Sequence, residues 1–274
     1  MLIDKYKQFK KLFFWQKKEK ILPVKSVNCN NKSVLKVLFL APQPFYQERG
    51  SPIANKMVLQ VLSTSGYYKV DVVTYNEGVD LNYENVKLYR IGKLPFIKEI
   101  KPGFSGKKLV CDFLMFLKII PLVLNNKYDL VHAVEESVFI ALFLKCWLKI
   151  PYLYDMDSSL PEQIIDKFPW LSRFHFCFTW FEKIAVENAQ VIVPVCQEIA
   201  NSISRYNSRQ IKLIPDVSLL KTKNNKSSEN LRELLNIDGV MLVYVGNLET
   251  YQGISLLLKS MVFVLQQTNT ADLV

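Results

Sequence analysis

The chain has 274 residues, half of them hydrophobic and 12% aromatic, enough apolar material for one large α/β domain or one domain and part of another, which excludes a disordered protein. Lys and Arg outnumber Asp and Glu by 35 to 25, a net charge of +10. Five scattered cysteines, Cys29, Cys111, Cys146, Cys177 and Cys196, are joined by only two histidines, His132 and His175, which argues against a disulfide framework or a zinc site and for a reducing cytosol.

The excess charge is concentrated at the start. Lys5, Lys7, Lys10, Lys11, Lys17, Lys18 and Lys20 stand there against Asp4 and Glu19. On a helical projection Leu2, Tyr6, Phe9 and Phe13 form one stripe and lysines the opposite face, the pattern of a helix lying on an anionic membrane surface. The competing reading is a solvated helix packed on its own domain. Nucleic acid is not expected as a partner, because no nucleic-acid module follows the charge. No secretory leader is read, since charges interrupt every apolar run and no small-residue cleavage site follows. "KLVCDFLMFLKIIPLVL" is broken by Asp112, Lys118 and Pro121, and "SVFIALFLKCWLKI" is short and carries Lys145, so neither is expected to span a bilayer.

After this segment and a polar linker (1–33), "VLKVLFLA" (34–41) has the continuous apolar character of a buried parallel strand. A helix is expected from Ser51 and Pro52, as N-cap and first helical residue, to Ser65. Strands follow at 69–75 and 86–91. A connection rich in Lys, Pro and Gly (92–106) then leads to a helix ending near Leu124. Further strands are expected at 128–134, 151–157, 189–196 and 210–215, with helices at 137–148, within 158–188 and up to Arg205. Strands alternating with helices predict an α/β fold with a doubly wound parallel sheet, Rossmann-like, over residues 34–220.

"KTKNNKSSEN" and a short helix make a linker (221–239). Residues 240–274 hold a strand, a Gly-containing turn, a helix and the start of another strand. This fragment is too small to bury both faces of its sheet, and is read as the truncated start of a second Rossmann-like domain.

Ligands of such sheets bind beyond the carboxyl ends of the strands, near the point where strand order reverses. The candidates there are Glu48, Arg49 and Gly50 after the first strand, His132, Glu135 and Glu136 after the strand at 128–134, and Asp155, Asp157 and Ser158 after the strand at 151–157. Gly50 next to a helix start lets an anion approach free backbone N–H groups, or is a helix cap and nothing more. His132, Glu135 and Glu136 have the groups for acid–base work or for holding sugar hydroxyls, and equally suit a solvated loop. Asp155 and Asp157 share one side of a strand by alternation, while Ser158 is either a site residue or a helix cap. No Gly-x-Gly-x-x-Gly fingerprint is present, and "DMD" (155–157) reads as a strand end, so no metal is expected.

Four stretches, in this order and spacing, resemble the family 4 glycosyltransferases: "LFLAPQPFYQERGSPIA", "YDLVHAVEESVFIA", "PYLYDMDSSLPEQ" and "VYVGNLETYQGISLLL". The resemblance covers the chain from about Val34 onward. It implies a GT-B fold of two Rossmann-like domains across a cleft, the N-terminal one on the acceptor side and the second holding a nucleotide-diphosphate sugar as donor substrate, with no other cofactor. Gly50, Gly246, Asn247, Gln252 and Gly253 match loops close to the donor phosphates. Asn247 stands where Arg is usual in the family and Gln252 where Lys is usual, so charge assistance to a leaving diphosphate would be lost. The His often found near Met156 and Asp157 is missing, and the family's Glu-x7-Glu segment has no counterpart.

The expectation is therefore a cytoplasmic glycosyltransferase, peripheral on the inner face of a membrane, that moves a sugar with retention to a glycan or lipid-linked acceptor, its sequence truncated. Asp157, Glu135 and His132 are the catalytic candidates; Glu48, Arg49, Glu136, Asp155 and Ser158 are those on the acceptor side. The alternative is a non-catalytic half-protein, an acceptor-binding module or subunit that needs a separate donor-binding partner chain. An enzyme using another nucleotide cofactor is disfavoured by the missing fingerprint.

Overall fold

The computed structural model describes residues 34–47, 50–93, 97, 100, 105–217, 230–246, 248, 253–267 and 271–273. The basic segment 1–33, the linker residues 218–229 and four site candidates, Glu48, Arg49, Asn247 and Gln252, lie outside them. Chain contacts divide the protein into two units, Met1–Val217 and Ser218–Val274.

In the first unit, the apolar runs form one parallel sheet. Its strands are β1 (Leu35–Ala41), β2 (Tyr68–Thr74), β3 (Val86–Arg90), β4 (Leu130–Val134), β5 (Tyr152–Met156) and β6 (Val191–Pro194), in the order β3-β2-β1-β4-β5-β6. Register is fixed by pairs such as Val37 with Val70, Phe39 with His132 and Tyr154 with Ile192. Val37 to Ala41 are all buried, so both faces of β1 are covered, as its unbroken apolar sequence requires.

Alternate residues of β1 serve two cores. Val37, Phe39 and Ala41 pack with Leu59 of α1 (Gly50–Thr64). Leu38 and Leu40 share the other core with Cys111, Met115 and Ile119 of α2 (Gly106–Asn125), Val138 and Leu144 of α3 (Val138–Leu148) and Ile184 and Ala185 of α5 (His175–Asn188). A short α4 (Leu160–Lys167), a 3-10 turn (Pro169–Phe174) and α6 (Gln197–Ile203) complete the helices of this unit. The chain winds outward from β1 to β3, crosses back through α2 and continues from β4 to β6, so strand order reverses between β1 and β4. The doubly wound α/β fold is as the alternation predicts.

The second unit contains α7 (Leu231–Leu234), β7 (Val240–Leu242), α8 (Ile254–Gln267) and β8 (Ala271–Leu273), with β7 and β8 parallel. The Asn230 side chain accepts from the Arg232 N–H and caps α7.

Two local expectations need correction. Residues 210–215 do not form a regular strand: one bridge joins Ile211 to Ile192, Ile214 N donates to the Pro194 carbonyl at 3.3 Å, and Pro215, which has no N–H, follows. The helix after β1 starts at Gly50, which puts Ser51 and Pro52 inside its first turn and frees the Ser51 hydroxyl from capping. α2 runs through Pro121, which sits on its exposed side, and ends at Asn125, close to the expected end near Leu124. Among the described residues no helix is long and apolar enough to cross a membrane.

Candidate functional site

The ends of β1, β4 and β5 converge where strand order reverses. β4 runs directly into a 3-10 turn, Glu135–Ser137. The Ser137 hydroxyl fixes that turn through the carbonyls of Val134 (2.7 Å) and Leu40 (3.3 Å), tying it to β1. Glu135 has a φ of 47°, a left-handed conformation that costs a residue with a Cβ and, where the surroundings enforce it, marks a position set for a task. The Ser51 hydroxyl, in the first turn of α1, donates to Glu135 Oε1 at 3.3 Å.

Beneath these lies a buried ionic cluster. Lys108, in the first turn of α2, pairs with Glu136 Oε1 and stands 3.8 Å from Glu135 Oε2. One turn further along α2, Asp112 accepts a hydrogen bond from Tyr75 at the end of β2. On the α1 side of the sheet His132 Nε2 lies 3.0 Å from Asp155 Oδ2 across β4 and β5, with the Phe39 ring 4.3 Å from the imidazole.

Burial sets the electrostatics. It pushes the Glu135 carboxyl up to about 8, with the Glu136 charge adding to the shift and the Lys108 ammonium opposing it. Asp112 is raised to about 7, by burial and then by Glu136. Asp157 is raised to about 6, by burial and then by Asp155, against a hydrogen bond from Ser51. Burial would lower Lys108, but Glu136 and Glu135 outweigh it and its ammonium is held above its usual range. Near neutral pH the site thus holds carboxyl groups poised to give or take a proton, with Lys108 the one cation among the described residues paired with them.

The loop after β1 is clamped in place. The Arg90 guanidinium, at the end of β3, donates to the carbonyls of Tyr75 (3.0 Å), Glu77 (2.6 Å) and Phe45, and pairs with Asp80. Backbone bonds join Tyr46 N to Val79 O (2.8 Å) and Val79 N to Tyr46 O (3.1 Å). Gly78, at φ 106°, lies so close to Phe45 that a Cβ there would stand 2.3 Å from the Phe45 carbonyl carbon. This ties down the segment that delivers Gly50. At Gly50 no described atom lies within 4 Å of where a Cβ would stand, which leaves the start of α1 open to a ligand.

Of the sequence candidates in this unit, the structure brings Gly50, Glu135, Asp157 and their neighbour Ser51 together. His132 and Asp155 are engaged with each other, and Glu136 with Lys108. β5 ends at Met156, so Asp157 lies one residue past the strand, near enough to Asp155 for that charge to help raise it. Ser158 accepts from Gln163 Nε2, while Ser159 donates to Glu182 Oε2 at 2.8 Å, so neither hydroxyl caps α4. Within the second unit, Gly246 follows β7 and Gly253, at φ 72°, precedes α8, where its carbonyl accepts from the N–H groups of Leu256 and Leu257 (both 2.9 Å).

Sequence reading missed Lys108, Asp112 and Asp216, the last placed close enough to Asp155 for that charge to help raise it, after burial. Lys108 had a signal: it falls on the stripe of Cys111, Met115 and Ile119, the buried face of α2. Among the described residues no group of three His, Cys, Asp or Glu could hold a metal ion.

An open parallel sheet with a helix start and carboxyls at its switch point is the architecture of a doubly wound, Rossmann-like α/β protein. A model of Glycosyltransferase Family 4 matches residues 58–216, more than half of the chain, and the chain belongs to that family. The solved structures it resembles include sucrose-phosphate synthase from Thermosynechococcus elongatus, with 17% identity and a TM-score of 0.64 over 87% of this chain and 61% of that one. A second, from Listeria monocytogenes, bears the name of a UDP-N-acetylglucosamine 2-epimerase and aligns at 11% identity and a TM-score of 0.50 over 88% of this chain and 62% of that one. Both likenesses show the fold alone, and this chain spans about six-tenths of the length of each. No curated protein matches it at a significant level.

Proposed function

We propose that this protein transfers a sugar, with retention, from a nucleotide-diphosphate donor to a glycan or lipid-linked acceptor, and that the switch-point cluster of the first unit handles the acceptor. Family membership supports the reaction class, and a structural neighbour named for UDP-N-acetylglucosamine supports a nucleotide sugar as the donor. The observation that carries the assignment of the site is the meeting of Ser51, Glu135 and Asp157 behind an open helix start. A Glu135 carboxyl that keeps its proton at neutral pH donates a hydrogen bond to a sugar or phosphate oxygen, and Asp157, ionised above about pH 6, accepts one from the acceptor hydroxyl. Gly50 and the 246–253 loop are the proposed phosphate contacts. The protein works in the cytoplasm on the inner face of a membrane, where the basic aromatic segment 1–20 holds it to anionic lipid.

The test is release of nucleoside diphosphate from a panel of nucleotide sugars, with and without lipid and glycan extracts from the source cells. Acceptor-dependent release from one donor is expected. Release equal with and without acceptor, or none from any donor, contradicts the proposal.

A second reading, an acceptor-binding subunit served by a separate donor-binding chain, is favoured by one observation: Asn247 and Gln252 stand at positions where the family resemblance implies Arg and Lys. Calorimetry separates the two readings. Acceptor binding with no measurable affinity for any nucleoside diphosphate selects the subunit.

A further inference from the structure

α3 presents an anomaly. A helix that lies on the outside of a sheet needs a polar outer side, yet ten of the eleven residues in "VFIALFLKCWL" are uncharged and nearly all are apolar. The one charge, Lys145, is turned inward, its ammonium donating to the Asn188 carbonyl at 2.7 Å. Phe139, Phe143 and Trp147, at four-residue spacing, make up the outer side instead, and Phe143 and Trp147 are 44% and 46% exposed.

The neighbouring elements extend the same surface. The Phe143 ring meets Phe116 of α2 at 5.2 Å, and Phe139 meets Phe181 of α5 at 6.4 Å. Phe113 of α2 is 59% exposed, Trp170 of the 3-10 turn 64% and Phe176 of α5 75%. Exposed and half-buried rings linked as Phe116, Phe143 and Trp147 are, and as Phe139, Phe181 and Trp180 are, are rare on a protein that works alone and mark an interaction site.

Charge identifies the occupant. The three helices of this layer carry only three carboxylates, and none is free. Asp112 is bound to Tyr75, Glu182 to Ser159 and Tyr206, and Glu187 pairs with Lys183 at 3.9 Å. The exposed ions around the rings are mostly cations, Lys118, Lys149, Lys167, Arg173 and Lys183 among them, against Glu162 and Asp166 of α4. A second copy of this chain would bring like charges together at the rim, which costs affinity. An anionic bilayer complements both features: rings at the level of the head groups, lysine and arginine on the phosphates.

We propose that the outer face of the α2, α3 and α5 layer is a docking surface for an anionic lipid bilayer, separate from residues 1–33 and independent of the chemistry at the switch point. It would lay the first unit flat on the membrane.

Trp15, Trp147, Trp170 and Trp180 are the four tryptophans of the chain; in the Trp15→Phe protein the exposed Trp147 and Trp170 report on this face, while Trp180 is packed against the core. With vesicles of phosphatidylcholine and phosphatidylglycerol, the fluorescence of that variant shifts to the blue and is quenched by lipids brominated in the acyl chain; pure phosphatidylcholine gives a much weaker effect. Replacing Phe143→Ser and Trp147→Ser together lowers co-sedimentation with the anionic vesicles by about tenfold or more. Lys149→Glu with Arg173→Glu does the same through charge alone and serves where the aromatic variant fails to fold. No quenching in the Trp15→Phe protein overturns the proposal. So does vesicle binding unchanged by both double variants, which would assign it to the N-terminal segment. A dimer that shields the tryptophans from acrylamide without lipid also overturns it and makes the face a contact between copies.

Discussion

Glu135 is the carboxyl that burial raises furthest in the switch-point cluster, and its linkage to folding can be measured. In an unfolded chain Asp and Glu lose their protons near pH 4, whereas burial raises Asp157, Asp112 and Glu135 to about 6, 7 and 8. Between pH 4 and 8 the folded protein therefore binds more protons than the unfolded one, so the stabilisation present below pH 4 is lost as pH rises through that window. Glu135→Gln cannot ionise, and it is expected to raise Tm at pH 8 by about 2–4 °C relative to the parent while leaving pH 5 nearly unchanged. Thermal melts across this range check the point; parallel curves contradict it. Lys108→Met removes the only described cation against two buried carboxylates and is expected to cost about 3 kcal/mol at pH 8, less at pH 5 where the carboxyls take up protons. Urea denaturation at the two pH values measures both. The carboxylates of this cluster at the ends of β4 and β5 were legible in the sequence, because an apolar run shows where a strand ends. Lys108 and Asp112 were not, since they enter the site only through the crossover that carries α2 from β3 back to β4.

At the scale of elements, the buried run "LKVLFLA" was readable as β1 and the half-exposed edge strand β3 was readable as well, while 210–215, whose Leu213 and Ile214 face solvent, meets the sheet through a single bridge. The Ser51 error arises because a serine before a proline signals a cap, while the carboxylate that competes for its hydroxyl is 84 residues away. α3 offers a direct contrast between neighbouring positions. Leu144 is wholly buried and Phe143 is half exposed, so Leu144→Ala is expected to cost about 2–5 kcal/mol and Phe143→Ser less than about 1 kcal/mol, by denaturant titration. Equal costs would place the outer face of α3 in the core. Arg90→Met leaves three carbonyls without their clamp; amide exchange at Tyr46 and Val79 is expected to speed up at least tenfold while β1 and β4 keep their protection.

For the whole molecule, fold and family rest on the parallel sheet and on the match over residues 58–216. The fold was legible because six alternating strand and helix patterns leave few topologies open. The second unit adds a strand–helix–strand with the 246–253 loop at its turn. The central claim is that sugar transfer depends on the switch-point cluster of the first unit. Its most direct test is the transfer of labelled sugar from the donor found in the panel to the extracted acceptor by this chain, compared with Asp157→Asn and Glu135→Ala, which removes the proposed donor. The account predicts product from the parent, a loss on the order of 10²-fold in kcat for each variant, and unchanged circular dichroism. Variants that fold and transfer as fast as the parent would contradict it, and the cluster would then be structural.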